Sequence, residues 1–293
     1  MKPLVLDFDQ SVKPLPDEQR INLHRWQEKI RFACTRGELD SLKDVVDVVL
    51  LRQPGVTFLG SGDFHHVSHL LIEHYARLHK ALQVVVFDNH PDNMRYPFGI
   101  HCGSWVWHVS RLPFVSRVHV LGITSKDVEL THAWENHFRN LHSGKVRYWC
   151  LGPNLNWMRP LGIKDSQTFE RTDDMLAAFH DSVENCTDPI YLSIDKDVLH
   201  IEDAHTNWDQ GVMRLSEIEA AVGIIRSRVV ASDVTGDISQ YIYQSRLKRF
   251  LSGLDEQPQI IAADLERWQT EHQAINSALM RCLAASDTKG PKS

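Results

Sequence analysis

Two short stretches of this sequence carry side chains whose types and spacing could do chemistry. Val84, Val85, Val86 and Phe87 form an apolar run rich in β-branched residues, which reads as a buried parallel strand. Directly after it come Asp88, His90 and Asp92, three ligand-type side chains at alternate positions. Alternate residues of an extended segment point the same way, so all three can converge on one spot. The space beyond the carboxyl ends of strands is also where open α/β sheets bind ligands. A second stretch repeats the pattern: Ile190 to Ser193 and Ile194 form an apolar strand that ends in Asp195-Lys196-Asp197. Either motif alone would pass for an ordinary polar loop. Together, five such groups at the ends of two buried strands would repel one another unless something positive lay between them, and the natural partner is a metal ion.

The elements that must position these groups follow from the rest of the chain. It has 293 residues, a net charge of −6 and 24% charged residues, long enough for one large α/β unit with a sizeable core. There is no basic stripe for nucleic acid and no apolar run approaching about 18 residues that would span a membrane. The amino terminus reads without a signal peptide. The five cysteines, Cys34, Cys102, Cys150, Cys186 and Cys282, are scattered without paired spacing, which fits a reduced cytoplasmic chain and excludes a thiolate zinc site. We expect one domain over residues 1–285, followed by a disordered tail at 286–293.

Strand-like and helix-like segments alternate. Strands are expected at Lys2–Phe8, Thr57–Gly60, Val84–Phe87, 117–122, 146–150, Ile190–Ile194, 228–233 and 258–263. Helices are expected at 18–33, 38–52, 66–80, 126–140, 169–184, 214–227, 240–252 and 264–284. Strands alternating with helices of this length predict a mainly parallel sheet with helices on both faces, a three-layer α/β/α fold. Asp7-Phe8-Asp9-Gln10-Ser11 resembles the first motif of haloacid-dehalogenase-type phosphatases, but Pro14 and Pro16 break the chain where that fold needs a helix. Eight of the 17 histidines lie between residues 65 and 108; His65 and His66 stand out because they follow a Gly-rich turn and can face the carboxyl edge of the sheet.

The order of motifs resembles the arginase and agmatinase (ureohydrolase) family over roughly residues 56 to 237. Gly60-Ser61-Gly62-Asp63-Phe64-His65-His66 is similar to that family's Gly-Gly-Asp-His turn, and Asp88-Asn89-His90-Pro91-Asp92 to its Asp-Ala-His-x-Asp. Gly99-Ile100-His101-Cys102-Gly103 resembles Gly-Asn-x-His-Gly, and Ser193-Ile194-Asp195-Lys196-Asp197 resembles Ser-x-Asp-x-Asp. The stretch from Thr206 to Gly211 sits where the family has a Gly-Thr-Pro-x-x-Gly-Gly loop, and Val229–Val234 resembles its last strand. The resemblance implies an arginase-like fold and two divalent ions, Mn²⁺ by preference, sharing a bridging hydroxide. One ion would be held by His65 or His66 with Asp88, Asp92 and Asp195, the other by Asp88, His90, Asp195 and Asp197. Carboxylates and imidazoles without thiolates suit such hard or borderline ions independently. His101 matches the family's proton-shuttling histidine, a role that suits an imidazole near the metals.

Three departures bear on specificity. Phe64 is an extra residue before the histidines, which leaves the choice between His65 and His66 open. Val198-Leu199 follows Asp197 where the family has Asp-Pro. Thr235-Gly236-Asp237 stands where the family carries a glutamate that binds the substrate's guanidinium; Asp237, one residue late, is a candidate replacement. Trp208 and Asp209 are further candidates for substrate contact, through cation–π attraction and charge. Lys196, between two ligand aspartates, is expected to point away and pair with another carboxylate.

The resulting expectation is a binuclear metal-dependent hydrolase cleaving a C–N bond of a small guanidino, amidino or related substrate. A homo-oligomer is the expectation carried from the family, which often forms trimers or hexamers. A deacetylase-like amidohydrolase would need only one Asp-His-Asp metal set, fewer ligands than both motifs supply. A metal-binding pseudoenzyme acting through a protein partner is the reading from another class, suggested by the missing glutamate.

Overall fold

A computed structural model describes residues 2–51, 55–246, 248–249 and 260–284. Its strands are β1 (Leu4–Asp7), β2 (Gln19–Asn22), β3 (Ala33–Cys34), β4 (Val56–Gly60), β5 (Leu82–Phe87), β6 (Ile100–His101), β7 (Val115–Ile123), β8 (Val146–Leu151), β9 (Gln167–Phe169), β10 (Ile190–Asp195) and β11 (Val229–Thr235). Nine of them form one sheet in the order β2-β1-β4-β11-β10-β5-β7-β8-β9, and every neighbouring pair is parallel. β3 and β6 make a separate antiparallel pair.

The apolar runs become central strands because both of their faces are covered. On β5, Val84 and Val86 pack into one layer with Leu42, Leu70 and Trp105, from helices Arg36–Leu50, Ser68–Ala76 and Trp105–Ser110. Val85 and Phe87 face the other way, into a layer with Phe179, Val222 and Leu279 from helices Thr172–Val183, Leu215–Ile225 and Ala262–Ala284. This is the three-layer α/β/α arrangement the sequence predicts. Helix Arg36–Leu50 shows how local signals fix an element. Thr35 and Glu38 close a capping box at its start, and Leu39, Leu42, Val46 and Leu50 recur at helical spacing to form its buried stripe.

Several elements differ from expectation. Residues 18–33 do not form one continuous helix. Gln19–Asn22 is instead the edge strand β2, paired to β1, with Arg20 3.2 Å from Asp7; two short helical turns, His24–Trp26 and Gln27–Ile30, follow it. The stretch 126–140 breaks into turns before the short helix Phe138–His142, because Asn136 is drawn into a β-bridge with Met94 and its side chain donates to the Asp127 carbonyl. The expected strand at 258–263 is helix from Ala262 onward; residues 258 and 259 lie outside the described residues. The expected helix at 240–252 is irregular from Gln240 to Ser245 and helical at Arg246, Lys248 and Arg249; residues 247 and 250–252 are outside the described residues, as is the expected tail 286–293.

Candidate metal centre

The sheet brings β4, β11, β10 and β5 side by side, and the ligand-type residues follow their carboxyl ends. β4 ends at Gly60, whose φ of +86° suits glycine, and a Cβ there would lie 2.5 Å from Asp9 Oδ1. The next turn is braced from below. Arg31 Nε lies 2.6 Å from Asp63 Oδ2 and its Nη1 3.4 Å from Asp9 Oδ2, all three side chains being buried. Asp9 Oδ2 also accepts from Ser239 Oγ at 2.6 Å. The aspartate of the phosphatase-like motif is therefore a support for this turn.

The helical turn Gly62–Val67 then presents His65 to the carboxylates. Its Nδ1 lies 3.1 Å from Asp88 Oδ2, 3.1 Å from Asp92 Oδ2 and 3.3 Å from Asp195 Oδ2. On the far side, His65 Nε2 lies 2.9 Å from Ser193 Oγ, and Ser193 donates to Asp233 Oδ1 at 2.7 Å. Since Ser193 gives its proton to Asp233, it accepts from His65 Nε2–H, which leaves Nδ1 to hold either a proton or a metal ion. Nδ1 faces three carboxylates, and neither Nδ1 nor Asp88 Oδ2 has a partner of hydrogen-bonding geometry. Buried carboxylates do not converge without positive charge among them, supplied here by a protonated imidazole or by a metal ion.

His90 repeats the arrangement. Its Nε2 is 2.8 Å from Asp209 Oδ1, and its Nδ1 is 2.9 Å from Asp197 Oδ2 and 3.7 Å from Asp88 Oδ1. Two groups suited to a metal ion result, His65–Asp88–Asp195 and Asp88–His90–Asp197, and Asp88 belongs to both through its two oxygens. Asp195 Oδ1, which the family resemblance would make a second bridge, accepts from the Asp197 amide at 3.1 Å. Asp92 reaches the first group with a left-handed backbone, φ +46°, not by continuing an extended segment, and Trp105 Nε1 donates to it at 2.6 Å. Gly236, φ +86°, allows the end of β11 to pass beside the cluster, since a Cβ there would meet Asp195 Oδ1 at 2.4 Å.

The electrostatics agree. Burial and the neighbouring Asp88 push the Asp92 carboxyl up to about 7, and burial with Asp195 and Asp88 raises that of Asp197. Burial works against a charged His65, yet Asp195, Asp88 and Asp92 hold its imidazole well above the ordinary value. Four carboxylates sharing two imidazoles form a site that binds protons or metal in competition. With oxygen and nitrogen donors and no thiolate, the set fits hard or borderline divalent ions.

These six side chains line a cavity of about 1190 Å³, with His101, Trp208 and Asp209 also on its wall. His101 Nδ1 accepts from the Gly103 amide at 2.9 Å, and burial pushes its imidazole down to about 4, so it rests neutral with its proton on Nε2. Two expectations are corrected. His66 is fully buried and takes no part in the cluster; the Gly62–Val67 turn puts His65 there, while burial keeps His66 neutral beside the Ile30 backbone. Asp237 does not line the cavity. Its Oδ1 lies 2.8 Å from Lys196 Nζ and accepts from Asn276 Nδ2 at 2.9 Å, which is the carboxylate partner expected for Lys196. Asp209 touches the cavity, yet it is the partner of His90. Sequence reasoning missed Asp233, whose position opposite Ser193 comes from the β10–β11 register, and Phe32 and Tyr96, which no motif marks.

No protein-family model matches the chain. An uncharacterized protein of Thermotoga maritima is 28% identical over 211 residues, spanning 72% of this chain and 68% of that protein. Among solved structures, an arginase from Bacillus subtilis superposes with a TM-score of 0.57 at 13% identity, covering 98% of both chains. A formiminoglutamase variant of Trypanosoma cruzi with Mn²⁺ gives 0.54 at 15% identity, covering 89% of this chain and 74% of that one. The proclavaminate amidino hydrolase of Streptomyces clavuligerus gives 0.50 at 16%, covering 85% and 74%. At these identities the likeness shows the fold: this chain has the arginase-like α/β/α architecture.

Proposed function

We propose that this chain is a divergent member of the arginase and agmatinase family, a binuclear metal-dependent hydrolase acting on a non-peptide C–N bond of an amidino, guanidino or related compound. The observation that carries this reading is the paired arrangement of His65 and His90. Each is anchored through Nε2, to Ser193 and Asp209, and each turns Nδ1 toward carboxylates that share Asp88. Such outer partners fix the tautomer and ring orientation of metal-binding histidines.

One ion would be held by His65, Asp88, Asp92 and Asp195, and the other by Asp88, His90 and Asp197. Bound there, a pair of divalent ions such as Mn²⁺ supplies a water nucleophile at neutral pH and charge stabilisation at the reacting carbon. The chain's own residues do the rest. Asp197 Oδ1 accepts from the Asn89 amide at 3.0 Å, which fixes the loop after β5 against the end of β10. His101, neutral and with its hydrogen on Nε2, offers a donor on the cavity wall for the departing nitrogen. Trp105 holds Asp92, and Ser193 with Asp233 holds His65, so these ligands keep one geometry.

The test is a screen of the Mn²⁺-loaded protein against amidino, guanidino and formimino compounds, read as urea, ammonia or amide release. Metal-dependent release from at least one class, lost in Asp88→Ala, is expected. Absence of release from every class by protein holding two ions per chain would overturn the assignment.

A further inference from the structure

The cavity is large for the substrate of a simple amidine or guanidine hydrolase. Its volume of about 1190 Å³ exceeds the roughly 300–1,000 Å³ typical of small-molecule sites. The two acids that the sequence offers for a guanidinium are engaged elsewhere, Asp237 with Lys196 and Asp209 with His90. What the wall does offer is a set of rings. Phe32 lies nearly parallel to Trp208, at 12° and 6.4 Å between centroids, and nearly parallel to His101, at 14° and 5.9 Å. Tyr96 stands edge-on to His101 at 4.5 Å. All four line the cavity.

Phe32 holds this place at a cost. Its φ is +67°, a left-handed conformation that bulky side chains avoid. Two backbone hydrogen bonds enforce it, Phe32 N to Asp63 O at 2.9 Å and Cys102 N to Phe32 O at 3.0 Å. These tie the ring to the turn that carries His65 and to the segment that carries His101. Strain of this kind is retained at ligand-binding sites when the surroundings over-determine it. Beyond the metal cluster, the other lining is polar, with Thr124, Ser125, Lys126, Asp127, His132 and Glu135. The cavity thus combines flat apolar faces with hydrogen-bonding groups, which suits a planar ring carrying polar edges.

We infer that the substrate carries a planar aromatic or heteroaromatic ring beyond the scissile C–N bond, selected by stacking on Trp208 and Tyr96 with Phe32 behind them. This rests on the proposed hydrolase reading and names its substrate class. The test compares benzamidine with acetamidine, the same amidinium with a ring or a methyl group. Binding is measured by calorimetry on chelator-treated and on Mn²⁺-loaded full-length protein. Wild-type protein should bind benzamidine at least about 10-fold more tightly. Trp208→Leu with Tyr96→Leu, which keeps apolar surface but removes both ring faces, should reduce that preference to about 2-fold. Tyr96→Leu alone, at a half-buried position, carries the test if the double variant melts early. Equal affinity for the two amidines, or an unchanged preference in folded variants, overturns ring selection. Ring preference without hydrolysis of any amidino or guanidino compound supports ring selection and overturns the activity. Hydrolysis confined to small aliphatic guanidines supports the activity and overturns ring selection.

Discussion

Lys196 Nζ lies 2.8 Å from Asp237 Oδ1, and both side chains are fully buried. Lys196 sits between Asp195 and Asp197, and Asn276 of helix Ala262–Ala284 accepts from its ammonium at 2.9 Å. An ion pair therefore fastens the segment bearing two candidate metal ligands to the end of β11 and to the last described helix. Removing one member of such a pair leaves an uncompensated buried charge, which costs about 3–5 kcal/mol. Lys196→Met should lose stability on that scale in chemical denaturation. Lys196→Met combined with Asp237→Leu should recover much of the loss, and Asp237→Asn should act on stability, not on substrate affinity. Unchanged denaturation midpoints in the single variants would show that the pair is not formed.

The outer partners of the two histidines give a second expectation. Partners of this kind are worth about 10–100-fold in metal affinity. Asp209→Asn and Ser193→Ala should each weaken Mn²⁺ binding by that factor in calorimetric titration, with melting of the metal-free protein changed far less. Identical affinities in wild type and variants would remove the orienting role.

His101→Ala separates binding from turnover. Because His101 lies outside both metal groups, metal content should stay at the wild-type level. Turnover should fall by about 10²–10³, the scale of one lost hydrogen-bond donor to the transition state. Loss of metal in this variant would place His101 among the ligands or their supports.

His119 makes stability depend on pH. It is buried on β7, Trp149 Nε1 donates to its Nδ1 at 3.1 Å, and burial aided by Arg147 and Arg117 pushes its imidazole down to about 3. An unfolded histidine titrates at about 6.5, so between these values the unfolded chain binds the extra proton. The stabilisation is complete above about pH 6.5 and declines as pH falls toward 3, at up to roughly 1.4 kcal/mol per pH unit. His119→Gln should flatten the fall in stability between pH 6.5 and 4 relative to wild type. Parallel pH profiles for the two proteins would contradict a buried neutral His119.

The parts of this architecture legible in the sequence are those set by local pattern. The runs Val84–Phe87 and Ile190–Ile194 declare themselves as buried strands, and the alternate placing of Asp88, His90, Asp195 and Asp197 points to their carboxyl edge. What stayed hidden depends on contacts distant in the chain. Gln19–Asn22 becomes a strand only because β1 offers it an edge. Asp237 looked like a substrate contact because it lies near a family position, but the buried Lys196 claims it. Phe32 carries no motif at all; its backbone conformation is imposed by hydrogen bonds to residues 63 and 102.

The proposed binuclear centre rests on Asp88, whose two carboxylate oxygens face His65 and His90, at 3.1 Å and 3.7 Å. Counting bound metal per chain by elemental analysis, after Mn²⁺ loading and removal of excess, tests this most directly. Two ions per chain are predicted for wild type, with Asp88→Ala losing at least one and retaining the wild-type helix content. Wild-type protein holding no ion or one, or Asp88→Ala still holding two, would contradict a metal pair bridged by Asp88.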